Sequence, residues 1–93
     1  MELNLEDTTA QLARLVRTDL QGAELVEFRQ VADDADENAY IVRWTRATPA
    51  AGDFREYGTH HACLSADGRA MLVWGHYTRN RREAESDYKE RRR

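Results

Sequence analysis

Gly58-Thr59-His60-His61-Ala62-Cys63-Leu64-Ser65-Ala66-Asp67-Gly68-Arg69-Ala70-Met71-Leu72-Val73-Trp74-Gly75-His76-Tyr77 is the stretch whose reading decides the fold. An Asp-Gly pair between two runs of aromatic, apolar and β-branched residues is the strongest short-range hairpin signal, because glycine accepts left-handed dihedrals without steric penalty. The reading predicts one strand from Phe54 to Ser65 and another from Arg69 to Thr78. Pairing Ser65 with Arg69 places Ala62 opposite Leu72 and His60 opposite Trp74, with His76 diagonal to His60 on the same face. Alternation then puts Ala62, Leu64, Leu72 and Trp74 on one side. Tyr57, Cys63, Met71, Val73 and Tyr77 fall on the other. A one-residue bulge at the turn reverses this parity.

Upstream of the hairpin, Pro49 and Gly52 mark a loop. Before it, Tyr40, Val42 and Trp44 alternate with Ile41, Arg43 and Thr45, which predicts a strand. The acidic segment Asp33-Asp34-Ala35-Asp36-Glu37-Asn38 reads as a turn. The run from Ala23 to Val31 reads as a half-buried strand, with Val26 and Phe28 on one side and Glu27 and Arg29 on the other. At the N-terminal end, Leu12, Leu15, Val16 and Leu20 recur at helical spacing, with Asp7 or Thr8 as cap and Gly22 as the terminating residue. Downstream of the hairpin, Asn80 caps a helix from Arg81 to about Arg91. Its thin apolar side rests on Ala84 and Tyr88, so it holds only if Tyr88 docks on the sheet. The expectation is a single α+β domain over residues 1–93, a four-stranded antiparallel meander flanked by an N-terminal and a C-terminal helix. Both faces of the last two strands carry apolar residues. A face left uncovered by the helices is a candidate surface for a homodimer or another partner.

Composition narrows the function. The 93 residues are 41% hydrophobic and 33% charged, with a formal net charge of −3. The absence of a ~20-residue apolar run argues against a membrane span, and the first residues lack a signal-peptide pattern. One cysteine, Cys63, allows no internal disulfide, and the expected compartment is the cytoplasm. His60 and His76 fall on one expected face, but too few further ligands join them to make a zinc site. Cys63 and His61 share the other face without an oxyanion hole or a glycine-rich elbow. The chain is therefore read as a non-enzyme with no cofactor and no metal.

Binding remains. The candidate protein-binding residues are Asp33, Asp34, Asp36 and Glu37, a row of carboxylates able to imitate a phosphate backbone, with Tyr57 and Tyr77 on the sheet. The alternative is a nucleic-acid-binding domain. It uses the arginines Arg79, Arg81, Arg82, Arg91 and Arg92 to neutralise phosphates, and the sheet aromatics to stack bases. Acids interleave with those arginines and weaken that reading.

The closing motif Trp74-Gly75-His76-Tyr77, followed by Glu83-Ala84, Asp87-Tyr88 and Arg91, resembles the ends of small phage and conjugative-element proteins. Those proteins finish in a Gly-His-Tyr strand and a helix rich in acids and alanine. The acidic, compact character also resembles anti-CRISPR inhibitors in general style. The resemblance implies a host or defence protein as a stoichiometric target and identifies no site residue.

Overall fold

The computed structural model describes residues 5–33, 37–48, 54–65 and 67–91. The elements run α1 (Leu5–Asp19), β1 (Glu24–Asp33), β2 (Glu37–Ala47), β3 (Arg55–Ser65), β4 (Ala70–Thr78) and α2 (Arg81–Glu90). The four strands form one antiparallel sheet in the order β1-β2-β3-β4, the expected α+β meander between two helices.

The apolar stripe of α1 does what its spacing dictates. Leu12, Leu15, Val16 and Leu20 are buried against Tyr40, Val42 and Trp44 of β2 and Ala62 and Leu64 of β3. Thr8 is not the cap expected of it. The helix is already under way at Leu5, and Thr8 is buried a turn inside it. Two left-handed residues end α1, Gln21 at φ 51° and Gly22 at φ 88°. Gly22 N–H donates to the Arg17 carbonyl at 2.7 Å, satisfying one of the carbonyls a helix end leaves open.

The opposite face of the sheet lies under α2. Asn80 caps this helix by accepting from the N–H groups of Arg82 and Glu83. Ala84 and Tyr88 are its buried residues, while Arg29 lays its guanidinium over the Tyr88 ring at 4.5 Å. Sinking one aromatic ring is worth about 2 kcal/mol, enough to dock a ten-residue helix that would not persist alone. Each face thus receives one helix, and the sheet is the middle layer.

The β3–β4 hairpin turns where Asp-Gly indicates. Gly68, at φ 89°, donates to the Ser65 carbonyl at 3.0 Å, and Ser65 donates to the Arg69 carbonyl at 2.8 Å. Ala62 pairs with Leu72 as expected, but the ladder shifts between Thr59 and His61. Thr59 pairs with His76 and His61 with Val73, so His60 alone opposes both Trp74 and Gly75. Trp74 accommodates the extra residue at φ 55°, a conformation rare for a bulky side chain. The expected alternation is corrected beyond this bulge. Tyr77, opposite Gly58, lies on the α1 face. Trp74 turns to the α2 face, where its ring meets His61 at 5.0 Å between centroids.

Candidate functional site

The bulge is built around His60. Gly58, directly opposite Trp44, leaves room for the indole; a Cβ there would stand 2.7 Å from the His76 carbonyl and closer still to the Trp44 ring. Gly75 performs the same service for His60, since a Cβ would come within 2.6 Å of Cε1. Trp44, fully buried, donates its Nε1–H to His60 Nδ1 at 3.0 Å. An indole nitrogen only donates, so Nδ1 must be the bare nitrogen and Nε2 carries the proton, facing the Tyr77 hydroxyl at 3.3 Å. Burial, with help from the Arg91 and Arg46 charges and against Asp19, lowers the His60 pKa to about 4. His60 is a neutral structural ring at physiological pH.

On the far side of the bulge, Trp74 is 72% exposed and Met71 is 55% exposed, among the most open large apolar side chains in the protein. The Trp74 carbonyl is held by Arg91, which donates from Nη2 at 2.6 Å. Arg91 is itself held by Asp87 at 3.1 Å, and Asp87 also accepts from the Thr59 hydroxyl. Burial pushes the Asp87 carboxyl up, but the hydrogen bonds from Thr59 and Arg91 prevail and keep it below the usual carboxylate range. The end of α2 therefore clamps the peptide whose side chain projects into solvent.

The residues singled out in the sequence do not converge. Asp33 and Glu37 are strand ends rather than turn residues, aligned with Asn38 and Ser65 respectively; Asp34 and Asp36 lie outside the described residues. Tyr57 and Tyr77 sit on opposite faces, because the bulge flips Tyr77 onto Trp44 and His60. They cannot form one contact surface. Arg91 is not free to reach a phosphate, and Arg92 lies outside the described residues. Arg79 stacks over Phe54 at 5.1 Å and Arg81 pairs with Glu85 at 3.5 Å, while Arg82 is exposed at the start of α2. Of the sheet aromatics, Tyr40 is buried, while Tyr77 and Trp74 are open to solvent on opposite faces. His76 has left the face of His60 and approaches Glu83 at 3.3 Å. Among the described residues, no three His, Cys, Asp or Glu side chains gather around a common point.

An open groove of about 380 Å³ separates α1 from the β3–β4 turn, lined by Gln11, Arg14, Leu15, Thr18 and Ala70 among others. It assembles no nucleophile–base pair. Among the described residues no helix is long and apolar enough to cross a membrane. Sequence reasoning counted Trp74 among the sheet aromatics able to stack bases but not among the protein-binding residues. The available signal was Gly75, a lone glycine within a strand pattern, which marks a bulge or a close backbone approach. No family model, curated protein or solved structure matches this chain.

Proposed function

We propose that this chain is a stoichiometric protein-binding module whose contact surface centres on Trp74 and Met71 of β4. The observation that carries the reading is Trp74 itself. A left-handed conformation in a non-glycine residue costs about 1–3 kcal/mol and persists only where its surroundings enforce it. Here Arg91 enforces it, and the result is an exposed indole on a largely charged surface. Tryptophan is enriched among the few residues that dominate binding energy at protein interfaces, because it offers a large rigid area for little lost entropy. The acidic end of the β1–β2 hairpin lies at the same end of the sheet as the start of β4, since Glu37 aligns with Ser65. It would steer a basic partner without contributing most of the affinity. The resemblance to anti-CRISPR inhibitors supplies a class of partner, a host defence protein bound without chemistry.

The test is capture from nuclease-treated host lysate by immobilised wild-type chain and by Trp74→Ala. The expected result is one protein retained near 1:1 by the wild type and at least tenfold less by the variant, with charge reversal at Asp33 and Glu37 mainly flattening the salt dependence. Equal retention by Trp74→Ala, or signal that disappears with nuclease, overturns the reading. Sedimentation of the purified chain separates a foreign partner from a second copy on the same face.

A further inference from the structure

We propose that His61, Cys63 and Met71 form a binding site for a soft monovalent metal ion, copper(I), beside Trp74 on the α2 face of the sheet. The inference does not depend on the protein-binding reading. Geometry comes first. His61 and Cys63 are two apart on β3, so both point to one face with Cα atoms ~6.7 Å apart, two strand rises. Met71 lies directly across from Cys63 in the ladder. Directly opposed residues have Cα atoms ~4.5–5.5 Å apart, and the diagonal to His61 is ~7–8 Å. The three residues therefore occupy neighbouring positions on one face, with Val73 at the fourth corner opposite His61. Met71 is flexible and Cys63 is short, so the three donors can close over the Cys63 corner.

The donor chemistry selects the ion. Thiolate and thioether sulfur are soft ligands that favour copper(I), and imidazole completes a three-coordinate set. A thioether is a poor zinc ligand, and structural zinc asks for four donors of nitrogen, thiolate or carboxylate type. No carboxylate joins this corner to attract a hard cation, in keeping with the lack of any three-member His, Cys, Asp or Glu group among the described residues. His61 brings an imidazole, a ligand that suits copper, to the buried side of this corner. The Trp74 ring stands edge-on to His61 at an interplanar angle of 76°, shielding the imidazole side of the site from water. Met71 and the half-buried Cys63 leave the other side open for metal exchange. Binding replaces the Cys63 thiol proton, which leaves to solvent; the metal stays copper(I) and no electron moves.

The test is an anaerobic titration of the purified chain against the coloured copper(I) complex of bicinchoninic acid near neutral pH. The wild type is expected to withdraw one equivalent of copper(I), with zinc in excess failing to compete. Cys63→Ser should abolish withdrawal, and Met71→Leu and His61→Gln should each weaken it at least tenfold. Met71 is largely exposed, so Met71→Leu leaves folding intact and reads the ligand role alone. No withdrawal by the wild type, or equal withdrawal by Met71→Leu, overturns the site. Trp74→Ala should keep its copper(I) while losing the captured partner, which separates failure of this proposal from failure of the previous one.

Discussion

Acid should weaken this fold through His60, and the size of the effect follows from its hydrogen bonds. In the unfolded chain a histidine takes up its proton near pH 6.5, whereas in the folded protein His60 resists until about pH 4. Protonating Nδ1 would set an N–H against the Trp44 N–H, inside a pocket already facing Arg46 and Arg91. Between those two pH values the unfolded state holds one more proton than the folded state, so stability falls as pH falls, by up to ~1.4 kcal/mol per pH unit. The contribution is complete above pH 6.5 and exhausted by about pH 4. From pH 6.5 to pH 5.0 the loss is about 2 kcal/mol, or roughly 8–16 °C in melting temperature for a domain of this size. Urea unfolding at pH 7.5 and pH 5.0 measures it. His61, whose pKa is also lowered by burial, adds to the same window, so the decisive comparison is with His60→Gln. A glutamine oxygen can still accept from Trp44 but cannot titrate. The variant should lose about 2 kcal/mol less than the wild type between the two pH values. Identical losses in the two proteins would refute the assignment of His60 as the buried neutral ring. Asp87 does not confuse the measurement, because its carboxylate, held low by Thr59 and Arg91, gives up its contribution only at more acidic pH.

Other substitutions test other parts of the structure. Gly75→Ala drives a methyl group into the His60 ring and should destabilise by about 2–3 kcal/mol in urea melts, with the Trp44 fluorescence shifted as its acceptor moves. Trp74→Gly removes a left-handed bulky residue from the bulge; it should raise stability by about 1 kcal/mol in the same melts while abolishing partner capture, and a loss of stability would contradict the strain assigned to the bulge. Tyr88→Ala should cost about 3 kcal/mol, with hydrogen exchange accelerating across α2 before it does so in β2 and β3. Asn80→Ala removes the acceptor for two N–H groups and should cost about 1 kcal/mol, recovered in part by Asn80→Ser or Asp.

Much of the architecture was legible because local rules and long-range packing agree. The stripe from Leu12 to Leu20, the alternation from Tyr40 to Trp44, the Asp67-Gly68 turn and the Asn80 cap each point to the element that forms there. The two-sided apolar pattern of β3 and β4 left open whether one face would stay uncovered; α1 and α2 divide the two faces between them. Failure begins at a single inserted residue. A period of two carries no memory of where it slips, so one bulge at Trp74 moved every later side chain of β4 to the other face. It separated Tyr57 from Tyr77 and His60 from His76. The arginine tail was only partly legible for a different reason. Seven bases near one end of a chain look like a phosphate surface until a side chain such as Arg91 is seen spending its guanidinium on Asp87 and the Trp74 carbonyl. Sequence counts charges, but only packing shows which are already engaged.

The clamp at Arg91 also ties the closing helix to residues far away in the chain. Each strand pairs with its neighbour in the chain, so the sheet can close by successive short loops, a topology that favours rapid folding. The closing helix is different. Arg29 in the first strand donates to the carbonyl of Arg91 across 62 positions, and the same residue holds the Trp74 peptide. Without that contact, the β4 peptide lacks its restraint and the indole has no fixed presentation. The surface through which this protein would meet another thus depends on a contact between residues far apart in the chain, so loosening the end of α2 would blur the indole's position while leaving the β1–β3 ladders paired.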